Sequence, residues 1–318
     1  MTGRGGEWGA LPEGSLVGIV APAGPTEAER LARVPALFEA AGYRVRLYPG
    51  CAARHEALPY LAGDDALRLR DLHAALADDD VAAIQCLRGG YGCMRIVAGI
   101  DRDLVRARRK PLVGYSDVTA LLSLWAAESA PALHAPMATS DIVLPERAAD
   151  REALFARLRQ GVRPGERLAA PAADGDAHGG ARWSALARPG IAEGRLVGGN
   201  LSLVAALQGT PFAWPSRGTV LFLEDVNEEP YRIDRLLTQL DLAGVLQAAA
   251  GFVLGSFTHE TDPTPVLLDR LGALGKPVLA GWPAGHGVPN RPLPMGLRVR
   301  LDAGARTLTL LEGWGGPG

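Results

Sequence analysis

Ser116 lies in KPLVGYSDVTALLSLW, residues 110–125, between a short apolar run and a strongly helical stretch. A serine at a tight strand-to-helix turn is exposed at the carboxyl edge of a sheet, where α/β folds gather their sites. The N–H of the next residue, Asp117, would then point along the helix N-terminus toward an oxyanion formed there. The same pattern fits a plain helix cap, a position that serine and aspartate both favour. The G-x-S-x-G elbow is not met, because Val118 stands where its second glycine would be.

A serine hydroxyl is a weak nucleophile and needs a base. Six histidines are present, His55 among them; His73 falls within a helical stretch and His178 in the Gly/Ala-rich linker stretch, while His134 and His259 follow apolar runs and stay candidates by spacing. His286 differs from them: in GWPAGHGVPNRPLPMG (281–296) it has glycine on both sides, in a long loop after an apolar run. Glycines permit close backbone approach there, although a turn histidine fits the local pattern equally well. The base in turn needs an orienting carboxylate. Glu224 ends the apolar run of TVLFLEDVNEEPYRIDRLLTQL (219–240), where a carboxylate is costly unless hydrogen-bonded or paired. Asp225, Glu228 and Glu229 make that cluster ambiguous, since hard metal ions also favour such oxygens. In CLRGGYGCMRI (86–96), Gly89, Gly90 and Gly92 would let a ligand reach the backbone, but the third glycine of a dinucleotide fingerprint is missing.

Elements that could position these groups alternate along the chain. LVGIVAP (16–22), YRVRLYP (43–49), VAAIQCL (81–87) and KPLVGYS (110–116) read as strands, and 26–42 and 64–78 as helices. Leu69, Leu72, His73 and Leu76 mark the expected inner face of the second helix. Strands alternating with helices argue for a mostly parallel sheet covered on both faces. Residues 162–192 are rich in Gly, Ala and Pro without a sustained period and read as a linker with room for one short strand. Beyond it come a strand, glycine turn and helix capped by Asn200 (193–210), buried strands at 219–225 and 251–257 around a helix at 229–247, a strand at 276–282, and a closing hairpin at 297–313. The expected domains are 1–161, carrying the nucleophile, and 193–318, carrying Glu and His.

Composition removes several function classes. Lys+Arg 33 against Asp+Glu 35 leaves no basic excess for nucleic acid. Cys51, Cys86 and Cys93 are too few and too irregular for a disulfide framework or zinc cage. No apolar run approaches the ~20 residues of a membrane span. SLVGIVAPAGP (15–25) reads as a first buried strand rather than a secretory segment, so a cytoplasmic location is expected.

Four motifs occur together in one order: RGGYG (88–92), GYSD (114–117), LFLEDVNEEPYRIDRLLTQL (221–240) and GHGVPNRPLPMG (285–296). In this combination the chain resembles the serine LD-carboxypeptidases, more narrowly the muramoyltetrapeptide carboxypeptidases, from about residue 14 to 312. The resemblance implies a catalytic triad of Ser116, Glu224 and His286, and an oxyanion hole of the Gly90 and Asp117 backbone amides. It implies a flavodoxin-like N-terminal domain, related to the class I glutamine amidotransferases, and a smaller swivelling α/β C-terminal domain. It also implies a homodimer, a murein tetrapeptide as substrate, and no metal or cofactor. A free substrate carboxylate suits a cation; Arg88 and Arg235 are the candidates, each also readable as a surface or structural ion-pair residue. Ala23 departs from the serine often found after the first-strand proline in such sequences. Rival readings are a self-immunity peptidase of the same family acting on nucleotide-peptide antibiotics, a metal-dependent amidase using Glu224, Asp225 and His286, a cysteine enzyme using Cys86, and a non-catalytic peptide-binding protein.

Overall fold

The computed structural model describes residues 10–171 and 180–314; His178 lies outside the described residues. The strands are β1 (Leu16–Val20), β2 (Arg44–Leu47), β3 (Val81–Cys86), β4 (Leu112–Gly114), β5 (Ala132–His134), β6 (Arg167–Ala169), β7 (Ile191–Asn200), β8 (Thr219–Val226), β9 (Gly251–Thr258), β10 (Val278–Ala280), β11 (Leu293–Met295), β12 (Arg298–Asp302) and β13 (Thr307–Leu310). They form two mixed sheets in a two-domain α/β arrangement. The first runs β2-β1-β3-β4-β5-β11, parallel throughout except for β11. The second runs β10-β9-β8-β7-β12-β13-β6, parallel from β10 to β7 and antiparallel beyond.

Burial follows the sequence pattern. Every residue of β1 is buried, as is β8 apart from Val226, as expected of parallel strands covered on both faces. β12 alternates exposed and buried residues up to Leu301, the mark of a sheet with one wet face. Apolar residues of both sheets belong to one continuous core. Among the described residues no helix is long and apolar enough to cross a membrane.

Helix Asp65–Ala77 begins where its cap predicts: the Asp64 side chain accepts from the Leu67 N–H at 2.6 Å. Its inner face is not the expected one. Arg68, Asp71, Leu72, Ala75 and Leu76 are buried, whereas Leu69 and His73 are only half-buried. Apolar spacing could not reveal this, because the two charged residues are buried with partners. Arg68 donates to the carbonyls of Pro22 and Gly92, and Asp71 accepts the Gly50 N–H. The 162–192 stretch supplies β6 at the sheet edge and a helix, Gly180–Leu186, two turns long and too short to show a period. The 281–296 loop contains β11, which crosses to the first sheet and pairs with β5. Pro294 is compatible with that place because β11 is an edge strand.

Candidate active site

β4 ends at Gly114, Tyr115 is extended, and Ser116 then adopts φ 61°, opening the short 3₁₀ turn that leads into helix Thr119–Ala127. A left-handed conformation costs a non-glycine residue about 1–2 kcal/mol, and such strain persists only where the surroundings impose it. Tyr115 supplies part of that constraint: its hydroxyl donates to Asp141 Oδ1 at 3.1 Å and its ring lies 4.9 Å from that of His286. The turn after β3 supplies the rest. A Cβ on Gly89 would lie 2.8 Å from Ser116 Cβ and 2.9 Å from Ser116 Oγ, so only glycine leaves room for the hydroxyl.

Glu224 comes from β8 of the other sheet and is completely buried. Asp225, its neighbour on the strand, points to the opposite side. There it accepts from Asn200 Nδ2 at 2.8 Å, Ser202 Oγ at 2.8 Å and the Ser202 and Val226 amides. Burial first, then the charge of Glu224, raises its pKa to about 6. Asp225 is thus committed to the start of helix Leu201–Ala206, which Asn200 caps. Among the described residues no group of three or more His, Cys, Asp or Glu could hold a metal ion, and Asp225 is turned away from Glu224 and His286.

His286 reaches between the two sheets. Its Nδ1 lies 2.7 Å from Glu224 Oε2, its Nε2 3.0 Å from Ser116 Oγ, and its backbone N–H donates to the same Glu224 oxygen at 3.2 Å. An ionised carboxylate only accepts, so Nδ1 carries the proton and Nε2 offers its lone pair to the serine hydroxyl. Burial alone would raise the Glu224 pKa, but the charge and hydrogen bond of His286 together with nearby His134 bring it down to about 2. Burial conversely lowers that of His286, and the Glu224 carboxylate outweighs it, for a net rise.

The histidine loop is held tightly. Gly285 has φ 112°, and a Cβ there would meet both Glu224 Oε2 and Ser256 Oγ at 2.6 Å. Arg147 donates to the carbonyls of His286 and Gly287, and pairs with Asp150 at 3.1 Å. Asp150 also accepts the Asn290 N–H, Asn290 accepts the Gly285 N–H, and Ser256 Oγ accepts the Gly287 N–H. Sequence reasoning passed over Arg147, Asp150, Ser256 and Asn290, whose only local signal is the i, i+3 spacing of the first two.

The remaining candidates are placed as follows. Gly90 has φ 110°, next to Gly89. The Asp117 N–H lies 3.5 Å from where a Gly89 Cβ would be, and its carboxylate is turned away to accept the Cys93 N–H at 2.8 Å. Arg88 is exposed on the same turn and donates to the Pro25 carbonyl at 3.0 Å. Arg235, on helix Pro230–Leu242, is exposed and lies over the Tyr231 ring at 5.5 Å. Cys86 is completely buried within β3, and burial pushes its thiol pKa far up, which removes it as a nucleophile. His55, His73 and His259 each accept a backbone N–H, as in structural turns and caps. His134 is buried behind Glu224, with Nε2 3.8 Å from Glu224 Oε1.

Comparison with known proteins bears on the whole chain. Residues 17–135 match the model of the LD-carboxypeptidase N-terminal domain, and residues 193–301 that of the LD-carboxypeptidase C-terminal domain. A probable murein peptide carboxypeptidase of Bacillus subtilis is 36% identical, covering 96% of this chain and 94% of its own. The murein tetrapeptide carboxypeptidase of Pseudomonas aeruginosa is 33% identical, covering 92% of this chain and 94% of its own. Among solved structures, a muramoyltetrapeptide carboxypeptidase from Oxalobacter formigenes superimposes with a TM-score of 0.78 at 28% identity, covering 93% of this chain and 98% of its own. With both domain models matched in order and relatives aligned nearly end to end, the chain belongs to the LD-carboxypeptidase family.

Proposed function

We propose that this protein is a serine LD-carboxypeptidase that releases terminal D-Ala from murein tetrapeptides by cutting the amide at the L-centre of the diamino acid. The observation that carries this reading is the unbroken chain of contacts from Ser116 Oγ through His286 to Glu224, at 3.0 and 2.7 Å. His286 Nε2 takes the proton of Ser116 as Oγ bonds to the amide carbon, and Glu224 stabilises the imidazolium that results. The Gly90 and Asp117 amides receive the developing oxyanion; one such donor is typically worth roughly 2.7–4 kcal/mol of transition-state stabilisation. His286 then protonates the departing D-Ala nitrogen as the C–N bond breaks. Water adds to the acyl-enzyme with His286 again as base, and the serine is regenerated.

The terminal carboxylate of the peptide must be bound as an anion. Arg88, on the turn that carries Gly89 and Gly90, is the better placed candidate, and Arg235 is the second. The nucleophile belongs to the 1–161 domain and the acid–base pair to the 193–318 domain, joined through 162–192. The order β2-β1-β3-β4-β5 supports a flavodoxin-like first domain, whose ligands bind beyond the carboxyl ends of its strands. A cytoplasmic homodimer completes the reading.

The test is incubation with murein tetrapeptide, scoring free D-Ala. Wild-type protein releases it and Ser116→Ala loses on the order of 10⁶-fold in kcat. Turnover of aminoacyl nucleotides in place of the tetrapeptide would transfer the protein to the immunity branch, and binding without release would make it a peptide-binding protein.

A further inference from the structure

His134, at the end of β5, is 0% exposed, and neither of its ring nitrogens has a hydrogen-bond partner. Glu224 Oε1 is likewise buried and unpartnered, because His286 occupies only Oε2. These orphaned atoms face each other, with His134 Nε2 3.8 Å from Glu224 Oε1. That gap is too long for a hydrogen bond, and shorter than the roughly 4.5 Å spanned by a water that bridges two groups at its near-tetrahedral angle. The rings of Tyr115 and Phe222, with centroids 5.4 and 5.0 Å away, hold the imidazole between them.

We infer that His134 is a positioning residue for Glu224, donating its Nε2–H to the carboxylate oxygen that His286 leaves open. The inference rests on the reading of Glu224 as the orienting carboxylate. A displacement under 1 Å closes the bond, and active-site hydrogen bonds are commonly long before substrate arrives. A buried carboxylate tied through one oxygen can rotate and carries an unsatisfied acceptor. Tied through both, it keeps its plane and its charge while His286 takes up the serine proton. His134 thus acts through Glu224 and touches no reacting atom.

Loss of this donor makes Glu224 more basic. The pair it forms with His286 then takes up a proton at higher pH, and the acid limb of kcat/KM moves upward. The other titratable and charged groups near this pair stay in place: Tyr115 from the turn after β4, Asp141 bonded to it, Arg147 beside the histidine loop, and Asp225, next to Glu224 on β8 but turned to the opposite side.

The experiment compares His134→Phe, which keeps the ring packing, with His134→Gln, which keeps a donor. His134→Phe is expected to lose about 10- to 100-fold in kcat with KM little changed, and to shift the acid limb upward. His134→Gln should retain more activity and a smaller shift. Wild-type kcat and an unmoved acid limb in His134→Phe overturn the inference, as do equal losses in both variants without a shift. Should neither variant fold, ¹⁵N NMR of the wild-type imidazoles decides: a proton on Nε2 of His134 supports the inference and one on Nδ1 overturns it. This last readout needs no turnover, so it stands apart from any failure of wild-type protein to release D-Ala.

Discussion

Ser116, His286 and Glu224 differ in how visible their roles are from the sequence. Ser116 and Glu224 each end an apolar run, and His286 is bracketed by glycines whose reason becomes plain in three dimensions: at Gly285 a side chain would collide with Glu224 and Ser256. Gly89, by contrast, was one of several glycines in a turn, and its specific demand, the space taken by the serine hydroxyl, arises from a contact between residues 27 positions apart. At this scale the pH dependence follows. Only neutral His286 can accept the proton of Ser116, and Glu224 raises its pKa against the lowering effect of burial. Activity should therefore climb with pH through a midpoint above the ordinary histidine value of about 6.5. A kcat/KM profile with its acid limb centred well below that value would contradict the coupling of Glu224 to His286.

Elements with a strong period or a cap were legible. Asp64 and Asn200 start helices as their types suggest, and the buried runs at 16–20, 81–86 and 219–226 are strands. What escaped depends on partners distant in sequence. β5 and β11 have three residues each, too few for a pattern, and are strands through their partners: β5 lies between β4 and β11, and β11 pairs with β5. Arg68 and Asp71 are buried because backbone groups from other loops meet them. The brace on the histidine loop is of the same kind, uniting Arg147 and Asp150 near one helix start with carbonyls and amides of 285–290. Arg147→Ala removes one partner of a buried charge and frees two loop carbonyls. About 3 kcal/mol of stability should be lost, and kcat should fall about 10-fold or more as His286 loses its fixed approach, with a smaller change in KM. Thermal unfolding together with steady-state kinetics checks both; unchanged kcat would show that the brace does not position the base.

Across the whole molecule, the relay exists only because the two sheets are packed together. Asn200 N–H donates to Thr119 Oγ1 at 3.1 Å, Ser123 Oγ donates to the Phe212 carbonyl at 2.7 Å, and β11 carries chain from beyond the second sheet into the first. Two-domain proteins often melt in separate steps. Here one continuous core and a shared strand predict a single calorimetric transition with van't Hoff and calorimetric enthalpies in agreement. Two resolved transitions would show that the halves are energetically independent.

The crossing strand also bears on how the chain is born. During synthesis β5 has β4 on one side and nothing on the other until Leu293–Met295 emerge, 159 residues after His134 at the end of β5. An unpaired edge in a nascent protein invites pairing with foreign strands. Folding on the ribosome must therefore shelter that edge until β11 has emerged, and premature termination shortly before residue 293 should yield a chain prone to aggregate.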